Sequence, residues 1–282
     1  MTEFKSLAKT VSMQSPTGTI TWGDAKNFVL FAGPDIIEDE GMVIETGKEL
    51  KRVTQSLGIP WILKCSFDKA NRQSSQSFRG RGFAEGLKGL EKIKGEIGCA
   101  LITDIHDVTQ LEKVASVSDV LQIPAFLCRQ TDLLQAAAKT GKVINIKKGQ
   151  FVAPWDMQSI AQKCVEVGNN KILLCERGNS FGYNRLVVDL PGLAEMRKTG
   201  FPVVMDASHS AQLPGVGAGG NSSGGNREDV EILARAALAA GVDGLFMETH
   251  PRPDQALCDG PIAWPLSQMK RLLTDLKKIA AI

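Results

Sequence analysis

Short apolar, β-branched runs recur along the chain at Phe28–Phe31, Trp61–Cys65, Ala100–Thr103, Val120–Ile123, Val143–Ile146, Ile172–Cys175, Pro202–Met205 and Gly244–Met247. Continuous runs of this length predict strands buried on both faces, as in a parallel sheet. Between them, Met42–Leu57, Phe83–Ile97, Thr109–Val117, Leu133–Thr140, Asp156–Val167 and Glu228–Ala240 carry apolar residues at helical spacing, and Leu266–Ile279 closes the series. This alternation predicts an α/β protein, and eight units at a spacing of about 30 residues match a (β/α)8 TIM barrel, whose usual size is about 250 residues. The surplus lies at the N-terminus, where KTVSMQSPTGTITW reads as a short β-hairpin turning at Pro16, Thr17 and Gly18, suited to plugging the barrel floor. We therefore expect a single domain over residues 1–282, with 1–26 as a hairpin extension. An open doubly wound sheet is the competing topology, but no GxGxxG fingerprint or acidic ribose ligand follows the first strand.

Composition narrows the function. With 33 Lys plus Arg against 31 Asp plus Glu, the net charge is +2, which argues against a general nucleic-acid or membrane-surface role and makes any cationic site local. The cysteines at 65, 99, 128, 164, 175 and 258 form no CxxC pair and mostly lie inside apolar runs, so buried, reduced thiols are expected, as in a reducing cytosol. The N-terminal MTEFKSLAKTVSMQ lacks a signal-peptide core, and no window approaches the ~18 apolar residues of a membrane span. The expectation is a soluble, cytoplasmic protein.

The polar residues that follow the apolar runs carry the chemistry. Behind the second run, KCSFDKANRQSSQSFRG packs Lys64, Lys69, Arg72 and Arg79 among Ser, Asn and Gln, a composition suited to phosphate and sugar hydroxyls. Asp104 and His106, Gln122, Lys147, Arg177, His209 and Glu248 stand behind other runs. Reactive groups of a TIM barrel sit at the C-terminal ends of its strands, so all of these are expected at one mouth. Pairing of strand-end charges with one another is the bland alternative for each residue taken alone. Convergence of Lys64, Lys69, Lys147 and Arg177 in a low-dielectric mouth implies an anionic ligand, and Arg72, Arg79 and Arg129 form a second basic group farther out. Two phosphorylated substrates meeting head to head fit this pattern. His209 in MDASHS, Glu248 and His250 in FMETHP and Asp259 in CDGP, with Asp35 after the first run, are suited either to a divalent metal or to a metal-free hydrogen-bonded network. The stretch PGVGAGGNSSGGN, Pro214–Asn226, lacks the GK[ST] ending of a P-loop and reads as a mobile lid or a plain surface loop.

Several long motifs occur together and in order: DKANR, SFRG, TDIH, LQIPAFLCRQTDL, NIKKGQF, ERG with FGYN, SHSAQLPG, FMETHP and CDGP. Over about Phe28 to Leu273 the chain resembles the 3-deoxy-D-manno-octulosonate 8-phosphate synthases, also called 2-dehydro-3-deoxyphosphooctonate aldolases. The resemblance implies a transferase of lipopolysaccharide biosynthesis that condenses phosphoenolpyruvate with D-arabinose 5-phosphate and water, releases inorganic phosphate, and uses no organic cofactor. It implies phosphoenolpyruvate contacts at Lys64, Ser66, Lys69, Gln122, Lys147, Arg177 and His209. It places the sugar phosphate at Asn71, Arg72, Ser74 and Arg129, the last lent by a neighbouring subunit of a homotetramer. Lys69, Lys147, His209 and Asp259 are the catalytic candidates.

The chain also departs from that pattern. Metal-dependent members of the family carry Cys in the first-strand motif and metal-independent members carry Asn, whereas this chain reads AGPD with Asp35. Asp35, His209, Glu248 and Asp259 would suit a harder metal such as Mg or Mn, or Asp35 takes the structural place of Asn without metal. Gln73 replaces a small hydroxyl residue and Ser75-Gln76 an apolar-His pair, so contacts to the aldose phosphate are altered. Two rivals remain. A 3-deoxy-D-arabino-heptulosonate 7-phosphate synthase would carry KPR followed by Thr or Ser where this chain has KANR. A non-catalytic phosphosugar-binding protein would not need Lys69, Lys147, Arg177 and His209 together.

Overall fold

The computed structural model describes residues 9–24, 27–181, 183–217 and 223–282. Eight parallel strands, Val29–Gly33, Trp61–Lys64, Leu101–Asp104, Val120–Ile123, Val143–Lys147, Ile172–Glu176, Val203–Asp206 and Gly244–His250, pair in chain order. The eighth strand pairs with both the seventh and the first, which closes the sheet into a barrel. The (β/α)8 reading is correct, and each observed strand overlaps its expected run.

Helices Glu40–Leu57, Phe83–Ile97, Leu111–Val117, Thr131–Lys139, Met157–Val165, Arg227–Ala239 and Met269–Ala280 lie where apolar spacing places them. Leu190–Arg197 is a further helix that the sequence reading did not include. Pro191-Gly192 is a turn-type dipeptide by composition. In fact Pro191 occupies the first helical turn, where its missing N–H costs nothing, and burial of Leu193 and Met196 supplies the stabilisation.

Two apolar layers hold the barrel. The outer one joins the helices to alternate strand residues such as Leu30, Leu63, Leu101, Ile144, Leu174 and Met205. The inner one contains Phe31, Ile62, Ile102, Val120, Val143, Leu173, Val204 and Phe246, together with Val11, Ile20 and Trp22 of the N-terminal hairpin. That hairpin pairs Val11–Ser15 with Gly18–Trp22 and drives Trp22, fully buried, onto Phe31 at a ring separation of 5.8 Å. Packing of hairpin residues into the inner layer bears out the expected plug, although residues 1–8 and 25–26 of the 1–26 extension lie outside the described residues.

Close approach of backbone occurs where the first strand ends. A Cβ on Gly33 would strike the Lys64 carbonyl oxygen, so only glycine lets the first and second strands meet at the mouth. The expected lid segment Pro214–Asn226 is closed at its base by a short ribbon, in which Gln212–Leu213 just before it pairs with Gly224–Gly225 near its end. Residues 218–222 of that segment lie outside the described residues.

If the hairpin is a plug, Trp22→Ala should destabilise the protein by about 3–5 kcal/mol, whereas Thr19→Ala on its exposed edge should change stability by less than about 0.5 kcal/mol. Denaturant unfolding measures both; equal, small effects would show that the hairpin contributes nothing to the barrel core.

Candidate active site

The alternation that builds the inner core also builds the site. Interior positions are apolar near the hairpin and turn polar two residues further on, as Ile62 gives way to Lys64, Ile102 to Asp104, Val120 to Gln122, Val143 to Asn145 and then Lys147, Val204 to Asp206, and Phe246 to Glu248. Side chains two apart on a strand share a face, so these polar groups form one layer on top of the apolar one. All of them are buried.

On one side of the mouth, Lys69 makes a short ion pair with Asp35 and lies 3.7 Å from Asp104. Lys64 donates to Ser66 Oγ at 2.8 Å and to the Asp35 carbonyl at 3.3 Å, and its Nζ is 4.0 Å from the Asp35 carboxylate. Ser66 in turn donates to Asp104 Oδ2 at 2.9 Å, and the Gln122 amide donates to Asp104 Oδ1. Burial would raise the carboxyls of Asp35 and Asp104, but the Lys69 and Lys64 ammoniums outweigh it and hold both below the usual carboxylate range. Burial alone would lower Lys69, yet Asp35 and Asp104 push it well above an ordinary lysine, so it stays protonated.

On the other side, Lys147 pairs with Asp206 at 2.6 Å and stacks over Phe246 at 4.0 Å. His209 sets Nδ1 against Asp206 Oδ2 at 2.8 Å and turns Nε2 toward Glu248 and Asp259, each at 3.5 Å. Burial lowers His209 more than Asp206 raises it, which favours a neutral imidazole. Asp206 Oδ2 at 2.8 Å outweighs Lys147 Nζ at 3.3 Å in its pull on the proton at Nδ1, which leaves the lone pair on Nε2, facing the carboxylates. Arg177 donates through Nη2 to Gln212 Oε1 at 3.0 Å, and the Gln212 amide reaches Asp259 Oδ2 at 3.0 Å. Nη1 of Arg177 is buried and has no partner among the described residues.

Convergence of Lys64, Lys69, Lys147 and Arg177 on one mouth follows the sequence reading, with one difference in the physics. The repulsion expected among the cations is met largely by the protein's own Asp35, Asp104 and Asp206. Asp206, Asn145 and Gln212 were not singled out from the sequence. Asp206 had a usable signal, because it continues the inward face two residues beyond Val204.

The outer residues are less gathered. Arg72 points its guanidinium at Cys258 Sγ and, at 3.4 Å, at the Leu257 carbonyl, which joins the loop after the second strand to the loop carrying Asp259. Ser74 lies in the same loop and caps Gln76 N at 3.2 Å, and Asn71 is exposed. Arg79 is engaged by Asp68 at 2.6 Å. Arg129 is exposed on the loop after the fourth strand, where its carbonyl accepts from Lys163. His106 packs edge-on against Phe67 at 5.6 Å, and His250 accepts from Arg252 N at 3.0 Å.

Asp35, His209, Glu248 and Asp259 bring one ligand atom each to within 4.8 Å of one another. Neither Glu248 oxygen accepts a hydrogen bond from the described residues, and Asp35 Oδ2 has none either. Burial and the neighbouring Asp35 raise the Glu248 carboxyl well above its ordinary range. Glu248 so raised shares a proton with Asp35, and buried acidic oxygens without other donors, grouped around a neutral imidazole, fit a divalent cation that would take the place of that proton. His250 lies outside this group.

The chain is 58% identical over 250 residues to the 2-dehydro-3-deoxyphosphooctonate aldolase of Thioalkalivibrio sulfidiphilus, with 89% of each chain covered. It is 56% identical over 250 residues to the protein of that name from Hydrogenovibrio crunogenus, covering 89% of this chain and 90% of the relative. A third, from Acidithiobacillus ferrooxidans, is 58% identical over 252 residues with 89% of each covered. These relatives bear out the resemblance carried by the motifs. The sequence pattern of the DAHP synthetase I family matches residues 8–281, so the chain belongs to the DAHP synthetase I family.

Proposed function

We propose that this protein is a 3-deoxy-D-manno-octulosonate 8-phosphate synthase, joining phosphoenolpyruvate and D-arabinose 5-phosphate with water and releasing phosphate. The observation that carries this reading is the unpartnered Nη1 of Arg177, buried in the layer that also holds Lys64, Lys69 and Lys147. A buried guanidinium nitrogen without an acceptor is costly, and a phosphate oxygen is the acceptor it suits. Lys64, Ser66, Lys69, Gln122, Lys147, Arg177 and His209 would hold phosphoenolpyruvate. Asn71, Arg72 and Ser74 would hold the sugar phosphate, with Arg129 supplied by a neighbouring subunit.

In the reaction, carbon 3 of the enol attacks the arabinose aldehyde and forms the new carbon-carbon bond. Positive character builds at carbon 2, which water captures after losing a proton. The resulting hemiketal then expels phosphate with cleavage of its carbon-oxygen bond, and its hydroxyl loses a proton to the departing phosphate as the carbon 2 carbonyl forms. Lys69, kept protonated by Asp35 and Asp104, would donate to the aldehyde oxygen as it becomes a hydroxyl. Lys147 and Arg177 oppose the charge on the departing phosphate. Asp259 would take the proton from water through the oxygen not used for a cation, with His209 held beside it by Asp206 to orient that water, and His209 would share the proton only where no cation occupies its Nε2. Two anions that repel each other are fixed in one mouth by paired cations, which lowers the entropic part of the barrier.

Asp35, His209, Glu248 and Asp259 would be the ligands of a divalent cation. With three carboxylates and one imidazole they suit Mn or Mg better than the softer metals a thiolate selects. When bound, such a cation supplies Lewis-acid polarisation of oxygen.

Association into the homotetramer that the motif resemblance implies is supported by apolar side chains bared on the loops after the fourth, fifth and sixth strands. Phe126, Phe151, Trp155 and Phe181 are exposed, with Phe181 73% accessible, and Arg129 shares the loop of Phe126. Exposed aromatic surface of this kind marks association. Six free, buried cysteines support a cytoplasmic setting, and no described helix is long and apolar enough to cross a membrane. A place in lipopolysaccharide assembly follows from the product.

Lys69→Ala should lower turnover by about 10²–10⁴-fold while the protein stays folded, read as phosphate release from the two substrates; an undiminished rate would reject the assignment. Exhaustive chelation should abolish turnover, and Mn or Mg should restore it. Turnover untouched by chelator would assign Asp35 to the hydrogen-bonded role of a metal-free enzyme. Arg129→Ala should raise KM for arabinose 5-phosphate by about tenfold with little change for phosphoenolpyruvate, and equal weakening of both would place it in the wrong subsite.

A further inference from the structure

Directly after Lys147 stands a second lysine with a different environment. Strand alternation turns Lys147 to the interior and Lys148 to the opposite side. Lys148 and Glu176 are both fully buried, at 0% exposure, and face each other at 3.4 Å. The Lys148 ammonium also meets Asn179 Oδ1 at 2.7 Å and the carbonyls of Val152 and Gly149 at 3.2 and 3.4 Å. One cation thus ties the loop after the fifth strand to the end of the sixth strand and to the ribbon that begins at Asn179.

Glu176 uses its other oxygen differently. Oε1 accepts from Arg177 N at 2.9 Å and from Gly178 N at 2.6 Å. Gly178 has φ +89°, a left-handed turn that glycine adopts without strain, and a Cβ there would press on Leu186. The carboxylate is therefore a clamp on the backbone of Arg177, the residue whose guanidinium carries the unpartnered nitrogen. An apolar pair of similar volume would fill the same space at no desolvation cost, so packing does not account for the ion pair.

We infer that Lys148 and Glu176 are positioning residues for the phosphate of the enol substrate: Glu176 fixes the backbone of Arg177, and Lys148 fixes Glu176. The inference rests on Arg177 as a phosphoenolpyruvate ligand. It goes beyond that reading by assigning a role to two residues that do not touch substrate, and by predicting an effect on one substrate only. A preset guanidinium loses less freedom on binding, so loosening its backbone weakens the phosphate contact and leaves the aldose phosphate subsite alone.

Two neutral double variants separate the clamp from the bulk of the pair. Lys148→Met with Glu176→Gln keeps the Oε1 acceptor, whereas Lys148→Met with Glu176→Leu removes it. Both delete the buried charges together, the change least harmful to folding. In steady-state assays on folded protein, the Leu variant should raise KM for phosphoenolpyruvate by about tenfold and the Gln variant by less than about threefold, with KM for arabinose 5-phosphate within about twofold in both. A parent-like phosphoenolpyruvate KM in the Leu variant, or equal increases for both substrates, overturns the inference. Should the Leu variant fail to fold, Lys148→Met with Glu176→Met removes the same acceptor with an unbranched side chain and reads the same quantity, and a parent-like value there overturns it equally. Arg177→Ala is the control. An unchanged phosphoenolpyruvate KM in that variant rejects the site reading itself, whereas a raised value beside an unaltered Leu variant rejects only the positioning role.

Discussion

The mouth depends on one ion pair above others, that of Lys69 with Asp35. Lys69 leaves the loop after the second strand and meets a carboxylate at the end of the first, where Gly33 allows the two strands to approach. Without Asp35 and Asp104, burial would drive Lys69 toward its neutral form, and the proton donor proposed for the aldehyde would be lost. Without Lys69 and Lys64, the carboxylates of Asp35 and Asp104 would rise and gain protons instead. Each partner holds the other in its charged state, and neither can be removed without leaving a buried charge unmatched.

The same logic repeats across the barrel with Lys147, Asp206 and His209. Between the two networks stand Glu248 and Asp259, which have carboxylates and few donors. The mouth is thus neither a cluster of bare cations nor a plain acidic site. It is a set of cations already paired, beside a carboxylate group short of positive charge, and it suits a phosphate at Arg177 and a cation at Glu248 together.

The comparison of sequence with structure is sharpest at particular residues. All eight strands were legible because a closed parallel barrel buries both strand faces and leaves continuous apolar runs. Lys64, Gln122, Lys147, Arg177, His209 and Glu248 were legible because they lie at the ends of those runs or within a few residues beyond them. The helix Leu190–Arg197 was not, since Pro191 and Gly192 carry a turn signal that tertiary burial of its apolar side overrides. Asp206 and Glu176 were passed over for a related reason. Each sits inside a strand end that reads as apolar, and only its partner, Lys147 for one and Lys148 for the other, shows why a charge is there.

By itself the sequence determined the strand order, every helix but Leu190–Arg197, the barrel, the hairpin and the family, because these rest on periodicity and on motifs contiguous in the chain. Tertiary structure alone decided which charges neutralise which. Asp35 meets Lys69 across 34 residues, and Gln212 joins Arg177 to Asp259 across 35 and 47. Such pairings depend on the closure of the barrel and on the depth of each side chain below its rim, where a few ångströms of distance and the exclusion of water fix the protonation state.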